Sequence, residues 1–163
     1  MSCYIIKHKR TPILSYLKNS QTVIDLALPI VKDITKNINK DDINMCYIGN
    51  VLSAGNGQNI ARQIAYKCGI KCPSITLNRV CSSGMQAIIE GHKSIVLGDY
   101  DLILVGGVES MSNSPHLIYN KKQTKYGDII IKDSMLVDGL IDSFSNELMV
   151  KQAEKILKKY NLT

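Results

Sequence analysis

Residues 74–98 read SITLNRVCSSGMQAIIEGHKSIVLG, and their reading decides the fold. The run 74–80 is β-prone and bounded by Pro73; it predicts a strand. From Ser83 the apolar residues recur at helical spacing to Leu97, and Gly98 supplies a left-handed stop. Cys81 therefore stands where a strand hands over to a helix. In an open α/β sheet the carboxyl ends of the strands are where ligands bind. The helix starting near Ser82 turns its first amides toward the sulfur, which stabilises a thiolate. A thiolate there is a nucleophile. Free cysteine is also a common core residue, so position alone leaves both readings open. His92 lies eleven residues further along the same helix, about 16 Å away at 1.5 Å per residue. It is out of reach of Cys81 and reads as structural.

The same helix carries Gly84, Ala87 and Gly91 on one face. Glycine inside a helix costs about 1 kcal/mol relative to alanine, so this face implies close approach of another backbone. Apolar residues Met85, Ile88, Ile89, Ile95 and Val96 occupy the other side. A helix apolar on several sides belongs in a protein's interior, and the expected neighbour is a second helix.

Outward from this unit the pattern repeats. CYIIKH (3–8) reads as a strand stopped by Pro12. Thr22 to about Asn39 reads as a helix, with Thr22 and Asp25 as a capping box and Pro29 as a kink or break. MCYIGNVL (45–52) is a strand, SAGNGQN a glycine-rich turn, and IARQIAYKC (60–68) a short helix capped by Gly69. DLILVGG (101–107) is the next strand. Strands alternating with helices over short joints predict a parallel sheet covered by helices. From Glu109 the texture turns loop-like. VDGLIDSF reads as a short turn and helix, and NELMVKQAEKILKKYNLT as an amphipathic helix with a solvated lysine face.

The 163 residues bound a single domain. The net charge of +6 admits anionic partners. The basic residues are scattered apart from KHKR (7–10) and KILKK (155–159), and the aromatics are mostly scattered tyrosines, which argues against a nucleic-acid surface. No apolar run approaches the ~20 residues of a membrane span, and residues 1–6 lack a secretory core. With five cysteines, an odd number, a reducing, cytoplasmic setting is expected. Cys68 and Cys72 form a C-x3-C pair with no second pair following. That spacing favours two small residues around a turn, and no metal is expected.

NRVCSSGMQA (78–87) resembles the active-cysteine segment of thiolases. KRTPI (9–13), GNVLSAGNGQNIARQIA (49–65), GGVESMSNSPHLI (106–118), KDSMLVDGLIDSF (132–144) and AEKILKKYNLT (153–163) resemble other blocks of that family, in order. Within the family the likeness is to acetyl-CoA acetyltransferases. The resemblance implies an α/β thiolase-like layered fold with a mainly parallel sheet, an incomplete N-terminal half and the start of the loop domain. It divides the chain into an α/β core over 1–118 and a partial loop domain over 119–163. It implies Cys81 as acyl carrier, with acetyl-CoA and acetoacetyl-CoA as substrates and no metal or redox cofactor. It also implies a homo-oligomer, dimer or tetramer, for a full-length protein. Met149 matches the methionine of a His-Met pair that lines the family's substrate pocket. Leu148 replaces the histidine and Val150 the glycine that follows. The second half's Gly-His-Pro and Asn-Glu-Ala-Phe segments and second cysteine have no counterpart here. A truncated, non-catalytic remnant or interaction subunit is therefore the alternative. A cysteine-based redox sensor would rest on Cys81 alone.

Overall fold

The computed structural model describes residues 2–15, 20–119 and 126–162. The loop expected over 120–125 and the final residue of the last helix lie outside them. The chain divides into two compact units, residues 1–113 and 114–163.

The first unit is built on β1 (Met45–Gly49), the central strand of a three-stranded parallel sheet. β2 (Ser74–Leu77) lies on one side, in the register Cys46 with Ser74. β3 (Ile103–Gly107) lies on the other, with Met45 opposite Ile103. Met45, Cys46 and Ile48 are buried, as a parallel strand covered on both faces requires. Alternate side chains point to opposite faces. Cys46, Ile48 and Leu104 join the core formed with α1 (Val23–Ile34) and α2 (Ile60–Lys67). Tyr47 and Val105 meet α3 (Ser83–Leu97) on the other side. The result is three layers, α/β/α.

α1 starts at the expected capping box: the Thr22 hydroxyl accepts from Asp25 N–H, and the Asp25 carboxylate accepts from Thr22 N–H. The Thr22 hydroxyl also donates to the Asp25 carboxylate at 2.7 Å; that bond first, and the Thr22 N–H second, hold the Asp25 carboxyl below its ordinary value. Pro29 does not break the helix. It lies on the exposed face, where the carbonyl it leaves unpaired is open to water. The helix stops at Ile34, short of Asn39, because buried Thr35 turns its hydroxyl back onto the Val31 carbonyl at 2.7 Å. The expected strand at 3–8 does not form. Tyr4, Ile5 and Ile6 are largely exposed, and no strand of the described residues lies beside them to complete a ladder.

α3 corrects one expectation. Its small face, Ser83, Ala87, Gly91 and Ser94, is buried against the sheet and not against a helix. A Cβ on Gly91 would sit 2.5 Å from Val105 Cγ1. Small side chains serve here to lower a helix onto strands. Met85, Ile88, Val96 and Leu97 on its other flank are exposed.

Cys46, Cys68 and Cys72 are all buried in the core. Burial, with Cys72 and Cys68 close by, pushes the Cys46 thiol from its ordinary 9.0 up to about 12. Burial also raises Cys68 and Cys72. A raised thiol pKa stabilises the fold fully below the unfolded value. Above it the unfolded chain loses its proton first, and stability falls by about 1.4 kcal/mol per pH unit for each such group. Urea midpoints are expected to fall steadily as pH rises from 9 toward 12, less steeply in Cys46→Ala. Equal slopes in the two proteins would count against the assignment.

The second unit holds an antiparallel pair, β4 (His116–Ile118) and β5 (Ile131–Asp133), which pattern reading missed. A π-helical turn follows at Leu136–Leu140, then α4 (Met149–Tyr160). The Asp142 carboxylate accepts from the Ser145 amide and hydroxyl, closing the intervening turn. No helix of the described residues is long and apolar enough to cross a membrane.

Candidate active site

The carboxyl ends of the three strands are tied together. Asn50 N–H donates to the Leu77 carbonyl at 3.0 Å, and Val108 N–H to the Gly49 carbonyl at 3.0 Å. Glu109, just past β3, acts as a clamp. Its carboxylate accepts from Asn50 Nδ2 and from the amides of Val51 and Leu52, at 2.9, 2.9 and 3.1 Å. Asn50 Nδ2 also donates to the Val108 carbonyl at 2.9 Å. Asn50 is 2% exposed, and its Oδ1 has no partner among the described residues.

Cys81 sits at this edge, exposed, between the end of β2 and the start of α3. Cys3 is half-buried and the other three cysteines are buried, so Cys81 is the cysteine most open to a reagent. Among the described residues no side chain caps the first turn of α3; the Ser82 and Ser83 amides donate instead to the Arg79 and Val80 carbonyls, at 3.1 and 3.0 Å. Val80, immediately before Cys81, has φ +50°. Ser83 is 4% exposed; its hydroxyl accepts from Arg79 N–H at 2.9 Å and donates to the Val80 carbonyl at 2.6 Å.

His92 is in the body of α3, well beyond Cys81. Leu148 and Met149 belong to the second unit. Leu148 is the N-cap of α4 and bridges to Ile141, and Met149 opens the helix. Cys68 ends α2 and Cys72 precedes β2. Among the described residues no group of three or more His, Cys, Asp or Glu side chains is arranged to hold a metal ion.

Asn50, Ser83 and Glu109 escaped the reading of the sequence as site-building residues. Asn50 and Glu109 meet only when β1 and β3 align. Ser83, two residues after Cys81, has the place of an ordinary helix-start serine.

A family model described as the thiolase N-terminal domain matches residues 3–163. A cytosolic acetyl-CoA acetyltransferase of Gibberella zeae is 42% identical, over 98% of this chain and 42% of its own length. Acetyl-CoA acetyltransferase IB of Candida tropicalis is 38% identical with the same coverage. A solved thiolase of Ascaris suum, in complex with coenzyme A, superposes with a TM-score of 0.89 at 38% identity, over 94% of this chain and 42% of that one. The chain thus spans well under half the length of these relatives. The layered α/β fold with a parallel sheet is the one the resemblance implied.

Proposed function

Because the chain belongs to the thiolase family, matching its N-terminal domain over residues 3–163, we propose that it carries the acyl-accepting cysteine of an acetyl-CoA acetyltransferase. The Cys81 thiolate attacks the thioester carbonyl of acetyl-CoA. The carbon–sulfur bond to CoA breaks, CoA leaves as thiolate and takes up a proton, and the acetyl group stays on Cys81. The carbanion of a second acetyl-CoA then attacks this thioester. Acetoacetyl-CoA forms and the Cys81 thiolate returns; thiolysis is the reverse. Splitting the reaction through a covalent intermediate gives ping-pong behaviour.

The observation that carries this reading is the exposed Cys81 at the start of α3, inside a segment resembling the family's active-cysteine block. The reaction also needs a base for the thiol and one for the acetyl methyl group. The family's histidine and second cysteine have no counterpart in these residues. On this proposal they come from sequence beyond them or from a second polypeptide. The positive net charge suits the phosphates of CoA. A cytosolic dimer or tetramer is proposed for the whole protein.

The test uses the natural gene product with acetyl-labelled acetyl-CoA, followed by proteolysis and peptide mass mapping. The expected result is an acetyl group on the peptide holding Cys81, released by hydroxylamine, with equimolar free CoA. An unlabelled Cys81 in folded protein that iodoacetamide still alkylates would end the proposal. It would leave the non-catalytic remnant or interaction subunit in its place.

A further inference from the structure

We propose that Ser83 is a positioning residue for Cys81, clasping the turn that presents the thiol; the functional part of this rests on Cys81 being the acyl acceptor. Val80 is β-branched and yet has φ +50°, a conformation such side chains rarely adopt. Something must hold it. Val80 N–H donates to Asn78 Oδ1 at 2.9 Å. The Val80 carbonyl accepts from both the amide and the hydroxyl of Ser83, at 3.0 and 2.6 Å. The same hydroxyl accepts from Arg79 N–H at 2.9 Å. One side chain thus grips the backbone on both sides of the strained residue.

A helix-start serine ordinarily caps forward, bonding an amide of the first turn. Ser83 is the first helical residue and reaches backward instead. Arg79, Val80, Cys81 and Ser82 are all exposed, whereas Ser83 is buried. Its backbone lies so close to β1 that a Cβ on Gly49 would fall 2.3 Å from the Ser83 carbonyl carbon. The hydroxyl therefore refers an exposed turn to the rigid sheet. Arg79 is tied again through its side chain, which donates to Gln86 Oε1 on α3 at 2.6 Å. Without the clasp Val80 is free to relax to negative φ, and that swings Cys81 away from its place at the start of α3.

The experiment measures alkylation of Cys81 by iodoacetamide, resolved by peptide mapping, alongside thermal melts and acetylation by acetyl-CoA. It uses the natural gene product carrying Ser83→Ala, Val80→Gly or both. Ser83→Ala is expected to slow alkylation and acetylation by about tenfold or more, the scale at which small misplacements act. Glycine adopts positive φ without strain, so Val80→Gly in the Ser83→Ala background recovers part of that rate. A simple loss of packing would instead worsen with the added flexibility. Wild-type rates in Ser83→Ala, or no recovery in the double variant, overturn the clasp. Should Ser83→Ala fail to fold, a folded double variant reacting close to Val80→Gly supports it. A double variant that also fails to fold overturns it. Alkylation does not depend on acyl transfer. Slowed alkylation in Ser83→Ala, with no acetylation in the wild type, would remove the proposed function and leave the clasp standing.

Discussion

On the proposed function, Cys81→Ser is expected to abolish acetyl-enzyme formation, with a loss of at least about a thousandfold in the first-turnover rate. The exchange of sulfur for oxygen changes little else. Cys81 is exposed and makes no side-chain hydrogen bond among the described residues, so stability should move by no more than about 0.5 kcal/mol. The chemistry changes greatly. A thiol supplies thiolate near neutral pH, whereas a serine hydroxyl needs a base beside it to become a nucleophile. His92, on the same helix, is far along α3. Burst release of CoA from the whole protein, with the melt recorded in parallel, reads the effect. An undiminished burst in Cys81→Ser, with the label on another residue, would transfer the acyl-accepting role elsewhere and reduce Cys81 to a bystander.

That Cys81 could be singled out from sequence has a local cause. Strand, turn and helix lie within 25 consecutive residues, and α3 runs over Ser83–Leu97 as its spacing predicts. The Thr22–Asp25 box is equally local and forms as expected. The misses are non-local. Residues 3–8 have a strand's composition, but a strand exists only beside another, and pattern cannot supply the neighbour. β4 and β5 are three residues each and far apart in sequence, too short for alternation to register. The Gly84–Ala87–Gly91 face announced a close approach, and the expected neighbour, a second helix, was the wrong one. A helix and a strand end both demand small residues, and only the fold shows that the approach is to β1 and β3. Glu109 and Asn50 are 59 residues apart, so their clamp has no local signature. Ser83 was visible but ambiguous, because a serine at a helix start has an ordinary capping use.

The close approach of α3 to β1 makes Gly49→Ala the most destabilising of the single substitutions argued from this structure. A Cβ there would lie 2.3 Å from the Ser83 carbonyl carbon, 2.5 Å from its oxygen and 2.6 Å from Gly84 N. All three are backbone atoms, so no side chain can swing aside. Either the end of β1 or the start of α3 must move, in an interior packed to crystal-like density. Overpacking against mobile side chains costs about 1–3 kcal/mol; against fixed backbone a loss of at least about 3 kcal/mol is expected. Gly106→Ala is the matched control. It lies in β3 directly opposite Ile48, and its Cβ would meet only Ile48 Cδ1, at 3.7 Å, an ordinary contact. Urea denaturation of the two variants compares them within one sheet. Equal, small losses would mean that α3 does not rest on β1 at Ser83, and the anchoring of the Cys81 turn to the sheet would go with it. A large loss confined to Gly49→Ala, with slowed Cys81 alkylation in whatever fraction stays folded, would tie the fold's tightest contact to the reactivity of its exposed thiol.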